Sequence, residues 1–203
     1  MLKLYCAPNT IAVAAVAMLN EGVHWEPIRL IMREGEQTGA AYLGVNPKGR
    51  VPCLVTPEGP LTEIGAILEY LGETALPQFV PADPLHRGRM RELMYYFAST
   101  MHVNHAHRYR GKRWASAQAA LDDMQAKVPE TMTASCAYLE PRITGPYLFG
   151  PEPTLADFHL YPLSTWLAGD GVDLSAFPRL VAWRATMEGR ASVQRTIADG
   201  FVT

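Results

Sequence analysis

His102, His105 and His107 stand close together, and three imidazoles invite a metal reading. On a helix His102 and His105 share a face at i,i+3 spacing, while His107 points elsewhere. No cysteine or carboxylate stands nearby at a ligand's spacing, so no metal is expected there. The same stretch carries Arg108, Tyr109, Arg110, Lys112, Arg113 and Trp114. Guanidinium planes and aromatic rings suit an anionic or planar ligand, and equally suit packing or a subunit interface. A second candidate is the run Tyr5-Cys6-Ala7-Pro8-Asn9-Thr10-Ile11-Ala12. A Cys-x-x-Cys exchange site is excluded, because Asn9 stands where the second cysteine belongs. Cys6 alone is a small buried hydrophobe or a reactive thiol. A third is Arg50-Val51-Pro52. A proline at the start of a strand needs a backbone reason, and a cis bond to Pro52 is one. The fourth, Thr154-Leu155-Ala156-Asp157, is an N-capping signature with a structural role.

The elements that must position these residues follow from local pattern. Residues 2–6 are short and apolar and read as a buried strand. Thr10 caps a helix running to about Glu21, with Gly22 as its stop. Residues 24–30 read as a second strand, in which Pro27 marks an edge or a bend. A short helix at 37–43 comes next, then strands at 51–55 and 60–62 joined by turn residues. Residues 63–71 form an amphipathic helix. The order is β-α-β-α-β-β-α. Pro77, Pro81 and Pro84 then make residues 77–84 a linker that helices cannot cross. Helices are expected near 85–110, 114–140, 154–168, 178–189 and 191–198. The division is an α/β domain over 1–76 and an all-α domain over 85–203.

Charge and composition narrow the classes of function. Eighteen Lys and Arg against 20 Asp and Glu give a net charge of −2, so no global pull toward nucleic acid or an anionic membrane exists. With 48% hydrophobic and 19% charged residues the chain is a globular protein, not a disordered one. The balance hides a local excess: residues 86–113 hold seven basic residues and one acid, a charge of +6. That stretch is a solvated helix face or a site for an anion. The three cysteines, Cys6, Cys53 and Cys136, are an odd number, which argues against a disulfide framework and for a reducing compartment. Neither a signal peptide nor a membrane span is read, so a cytoplasmic location is expected.

Four blocks in order carry a family resemblance: LGVNPKGRVPCLV at residues 43–55, LTEIGAILEYL at 61–71, GPYLFGPEPTLADFHLYPLSTW at 145–166 and FPRLVAWRATMEGRASV at 177–193. Together they resemble the cytosolic glutathione transferases, of the bacterial beta- and nu-like kinds, over nearly the whole chain. The resemblance implies a thioredoxin-like domain with a four-stranded mixed sheet, an all-helical domain and a homodimer. The implied reaction is attack of a glutathione thiolate on a small electrophile, with glutathione as co-substrate. Two alternatives are glutathione-dependent disulfide or peroxide reduction, and a glutathione transferase fold serving as a binding module.

The resemblance also assigns residues. Val51, before a cis Pro52, supplies backbone pairing for the cysteinyl part of glutathione. The helix starting at Glu63 receives the γ-glutamyl carboxylate on the amide of Ile64, Glu63 accepts from the ammonium, and Lys48 takes the glycine carboxylate. Ile64 departs from the family's usual serine, at a cost of about 0.5–1.5 kcal/mol for one hydroxyl hydrogen bond. Thr10 and Asn9 are the expected thiolate stabilisers, with Cys6 as a rival through a mixed disulfide. Against the beta class, Cys6 falls where tyrosine is common and Ile11 where the class has its cysteine. Against the nu-type turn Thr-Pro-Asn, Ala7 replaces the threonine and Asn9 is kept. His102, His105, Arg108, Tyr109 and Arg113 are the expected electrophile-pocket residues.

Overall fold

The computed structural model describes residues 1–203. In chain order the elements are β1 (Leu2–Cys6), α1 (Val13–Leu19), β2 (Trp25–Arg29), α2 (Ala40–Leu43), β3 (Cys53–Thr56), β4 (Gly59–Thr62), α3 (Ile64–Thr74), α4 (Pro84–Tyr96), α5 (His102–Arg110), α6 (Gln118–Leu139), α7 (Leu155–Trp166), α8 (Pro178–Glu188) and α9 (Ala191–Ala198). Two compact units result: Met1–Pro81 with Glu188–Thr203, and Ala82–Met187.

The first unit is built on a sheet of order β2-β1-β3-β4. β1 and β2 run parallel, so their connection must cross over, and α1 makes the crossover. The pairs β1–β3 and β3–β4 are antiparallel, the latter joined by a tight turn. Pro27 lies opposite Leu4 in the edge strand β2, where a missing N–H costs least. α1 reads VAAVAML and all seven residues are buried. A helix apolar all round needs cover on every side; β1, α3 and α9 all pack on it. α3 turns Ile64, Ile67, Leu68 and Leu71 inward, the stripe expected from its periodicity.

One expectation changes here. α9 falls within the 85–203 helical region by sequence, yet residues 188–203 belong to the first unit. The side chains explain it. The Arg190 guanidinium holds Glu21 at the end of α1, with Nε 3.0 Å from Oε1 and Nη2 2.9 Å from Oε2. The Ser192 hydroxyl also donates to Glu21, and Asn20 Nδ2 donates to Thr196 Oγ1 at 3.0 Å. Buried Val193 and Thr196 complete the contact face. Helical periodicity marks an apolar stripe but does not say which core the stripe faces.

In the second unit, the long helix expected over 85–110 divides. α4 passes through a π-helical turn, Phe97–Met101, into α5. Phe97 and Met101 are both fully buried there. Asp83 caps α4 by accepting from the His86 amide at 2.9 Å. Asp157 at the start of α7 is completely buried and takes four donors: the Leu148 amide at 2.8 Å, the Thr154 amide at 2.7 Å, Thr154 Oγ1 at 2.9 Å and Trp183 Nε1 at 2.8 Å. Burial pushes this carboxyl up, and the four donors oppose the push. The capping signature is therefore the hub of the helical unit's core. No helix is long and apolar enough to cross a membrane.

Candidate functional site

The loop between α2 and β3 is braced from below. Tyr42 is buried, and its hydroxyl donates to the Arg50 carbonyl at 2.6 Å. Buried Asn46 donates to the same oxygen at 2.7 Å and accepts from the Lys48 amide at 3.1 Å. Gly49 has φ 61°, and a Cβ there would lie 3.1 Å from the Gln37 carbonyl, so only glycine fits without a shift. These contacts set the Arg50 carbonyl immediately before Val51–Pro52, whose peptide bond is cis. Sequence reasoning overlooked Tyr42 and Asn46. The signal available was Asn46-Pro47 followed by Gly49, a turn signature.

Lys48 and Glu63 are brought together. Lys48 Nζ lies 2.6 Å from Glu63 Oε1 and 2.9 Å from Thr62 Oγ1. Both side chains are open to solvent, at 49% and 70% exposure, so a charged ligand can compete for either. Glu63 has φ 70° and precedes α3, whose first turn has no side-chain cap. The leading amides of that helix, Ile64 and Gly65, have no intrahelical acceptor and present the positive end of the helix dipole. The Ile64 side chain is turned into the core, which leaves its backbone amide as the group it can offer a ligand.

The turn after β1 separates its three candidates. Cys6 is fully buried, and burial pushes its thiol up to about 12. A nucleophilic route needs an accessible thiolate; Cys6 has the character of core packing. Thr10 Oγ1 donates to the Ala7 carbonyl at 2.7 Å and accepts from the Ala12 amide at 3.3 Å. Asn9 adopts the left-handed conformation at φ 55°. Its Nδ2 donates to Thr203 Oγ1 at 2.7 Å and its Oδ1 accepts from the Thr203 amide at 3.1 Å. Tyr5 packs its ring on Tyr42, with centroids 5.0 Å apart. All three cysteines are unbridged and buried.

In the second unit the histidines are drawn into packing. His105 Nδ1 lies 2.7 Å from Asp170 Oδ2, and Arg108 Nη1 donates to Asp170 Oδ1 at 3.2 Å. Asp170 is fully enclosed at its side chain. His105 stacks on Trp166 at 4.1 Å between centroids, and His102 packs on the same ring at 5.5 Å. Burial lowers His102 to about 3, so its imidazole is neutral near physiological pH. His107 meets Trp114 edge-on at 4.8 Å. Arg108 also lies over Tyr109, whose ring is largely exposed. Arg113 sits in the 3-10 turn after α5. Asp170 was missed from sequence; it stands between Gly169 and Gly171, and a Cβ on Gly169 would come 2.7 Å from Arg108 Nη1.

Family models settle the wider membership. The N-terminal domain model of the glutathione S-transferases matches residues 1–73, and the C-terminal domain model matches residues 90–191. The chain belongs to the glutathione S-transferase family. It is thus an enzyme of a family whose co-substrate is glutathione. The chain is similar to a crystal structure of a glutathione transferase homologue from Sulfitobacter with bound glutathione, at 44% identity and TM-score 0.94, covering 99% of each chain. It is 31% identical over 172 residues to the maleylacetoacetate isomerase of Pseudomonas aeruginosa, covering 81% of this chain and 80% of that one. A maleylacetoacetate isomerase from Methylobacterium extorquens, with bound malonate and glutathione, is 25% identical at TM-score 0.81, covering 96% of this chain and 95% of that one.

Proposed function

We propose that this glutathione S-transferase family member binds glutathione on its first unit and directs the bound thiolate at a small electrophile. The observation that carries the reading is the start of α3. An exposed Glu63, its Lys48 partner and the uncapped amides of Ile64 and Gly65 form one polar group, suited to the ammonium and carboxylate of the γ-glutamyl end. Opposite charges on an amine and a carboxylate match that pair, with Lys48 turning to the glycine carboxylate once Glu63 accepts from the ligand. The Val51 backbone pairs with the cysteinyl segment. Thr10 is the thiolate donor: a hydroxyl can swing from the Ala7 carbonyl to a sulfur anion, and a donor to the charged form favours it. Pre-positioning and thiolate stabilisation are the enzyme's contributions. His102, His105, Arg108, Tyr109 and Arg113 form the proposed electrophile-binding group of the second unit. A homodimer in the cytoplasm is proposed on the family pattern.

A second reading is favoured by the isomerase relatives. There the thiolate adds to an activated carbon–carbon double bond, the carbon–carbon bond rotates, and glutathione leaves again. Conjugation consumes thiol; isomerisation does not. Calorimetry with glutathione followed by turnover of a chloronitrobenzene and of a cis-alkenedioic acid separates the two, with thiol counted at the end. Absence of binding at millimolar glutathione would sink both. Thr10→Ala is expected to raise the bound thiol's pKa by about one unit, read from thiolate absorbance against pH; an unchanged titration would remove Thr10 from the role.

A further inference from the structure

We infer that residues Phe201–Thr203 clasp the turn between β1 and α1 and set its aim, making Asn9 a positioning residue for the thiolate donor Thr10 rather than a donor itself. This rests on the function proposed above. Asn9 is tied to the clasp by three hydrogen bonds. Its amide donates to the Phe201 carbonyl at 2.9 Å, its Nδ2 to Thr203 Oγ1, and its Oδ1 accepts from the Thr203 amide. Both ends of the carboxamide are thus engaged with Thr203, so the side chain is held against the clasp through its oxygen and one of its N–H groups.

The clasp has an anchor as well as a latch. Phe201 is 1% exposed. The Arg29 guanidinium lies 4.1 Å from its ring centroid and donates to the Asp199 carbonyl at 2.5 Å. Arg29 is the last residue of β2, directly beside Cys6 in the sheet register, so the anchor is fixed to the strand that launches the turn. The residues of the clasp are brought close by α9, which is itself packed on α1. Exposed hydrogen bonds are individually weak in water; here the buried ring supplies the binding and Asn9 supplies the register. The left-handed backbone at Asn9 matters for the same reason. Asparagine tolerates that conformation and at the same time offers both a donor and an acceptor to a passing backbone. The adjacent residue in the chain is Thr10, so any slackening at Asn9 reaches the hydroxyl with no intervening hinge.

The test uses the full chain with saturating glutathione. Thiolate absorbance is titrated against pH, and kcat and KM for glutathione are measured beside it. Asn9→Ala and Phe201→Ala are each expected to move the thiolate titration up by about one pH unit, as loss of one aimed donor would. Each is expected to lower kcat about tenfold at neutral pH with KM changed less than about twofold, since the groups at Val51 and Glu63 are untouched. If Asn9 touched the sulfur directly, Asn9→Ala would shift the titration and Phe201→Ala would not; that pattern overturns the clasp. Should Phe201→Ala fail to fold, Thr203→Ala removes only the latch hydroxyl and should produce a smaller shift in the same direction. A wild-type titration already at the value of free glutathione overturns the proposed function and the clasp together. A depressed wild-type value that no variant moves overturns the clasp alone.

Discussion

Two charged clusters in this protein look alike on paper and differ in burial. In the first unit Lys48 meets Glu63 with both side chains open to water. In the second, Asp170 meets His105 and Arg108 with the carboxylate wholly enclosed. An exposed pair contributes little to stability and can be taken apart by a ligand. An enclosed carboxylate cannot lose its partners without becoming an unpaired buried charge. Burial of the carboxylate therefore decides whether such a cluster is open to exchange or locked.

The comparison breaks most readily at Asp170. Asp170→Ala strands the Arg108 guanidinium and is expected to lower the stability of the second unit by about 3–5 kcal/mol in urea unfolding. A loss under about 1 kcal/mol would put this cluster in the exposed class. The next effect is a pH slope. His159 is fully buried, neither ring nitrogen has a partner, and it packs edge-on against Phe97. Burial lowers it to about 3, as it does His102. Unfolded histidine titrates near about 6.5. The unfolded chain therefore binds protons first, and stability present above that value is lost as pH falls toward 3. Each histidine adds a slope of about 1.4 kcal/mol per pH unit in that window. His159→Phe should flatten the slope by one histidine's share, measured by unfolding at about pH 7 and about pH 5; an unchanged slope would return His159 to an ordinary titration. The smallest stability effect belongs to the exposed pair. Glu63→Ala should change unfolding by less than about 1 kcal/mol while weakening glutathione binding about tenfold in calorimetry. A large stability loss there would erase the contrast.

Much of the fold was legible because its signals are local. The strand at residues 2–6, the edge proline Pro27, the stripe of α3 and the cap at Asp157 each follow from a few neighbouring residues, and each stands where expected. The unit of α9 was not legible, because its partners Glu21 and Asn20 lie on the far side of the sequence. The π-helical turn at Phe97–Met101 was hidden too, since the helical pattern runs through it. At the site, the family resemblance pointed to Lys48, Glu63 and Thr10 but said nothing of the side chains and carbonyls they meet. Asn9, expected from the nu-type resemblance to face the thiol, is bonded to Thr203. Cys6 could be judged only once its burial was known. Asp170 carried no motif; its meaning comes from an imidazole and a guanidinium placed 65 and 62 positions away.

The bond between Arg190 and Glu21 spans 169 positions, and that between Asn9 and Thr203 spans 194. On the ribosome the first unit emerges first and is finished last. Its sheet and α1 must wait, with one flank of an all-apolar helix uncovered, until the whole second unit has been made and α9 follows it out. The turn that bears Thr10 thus acquires its final setting only after α9 has followed the second unit out.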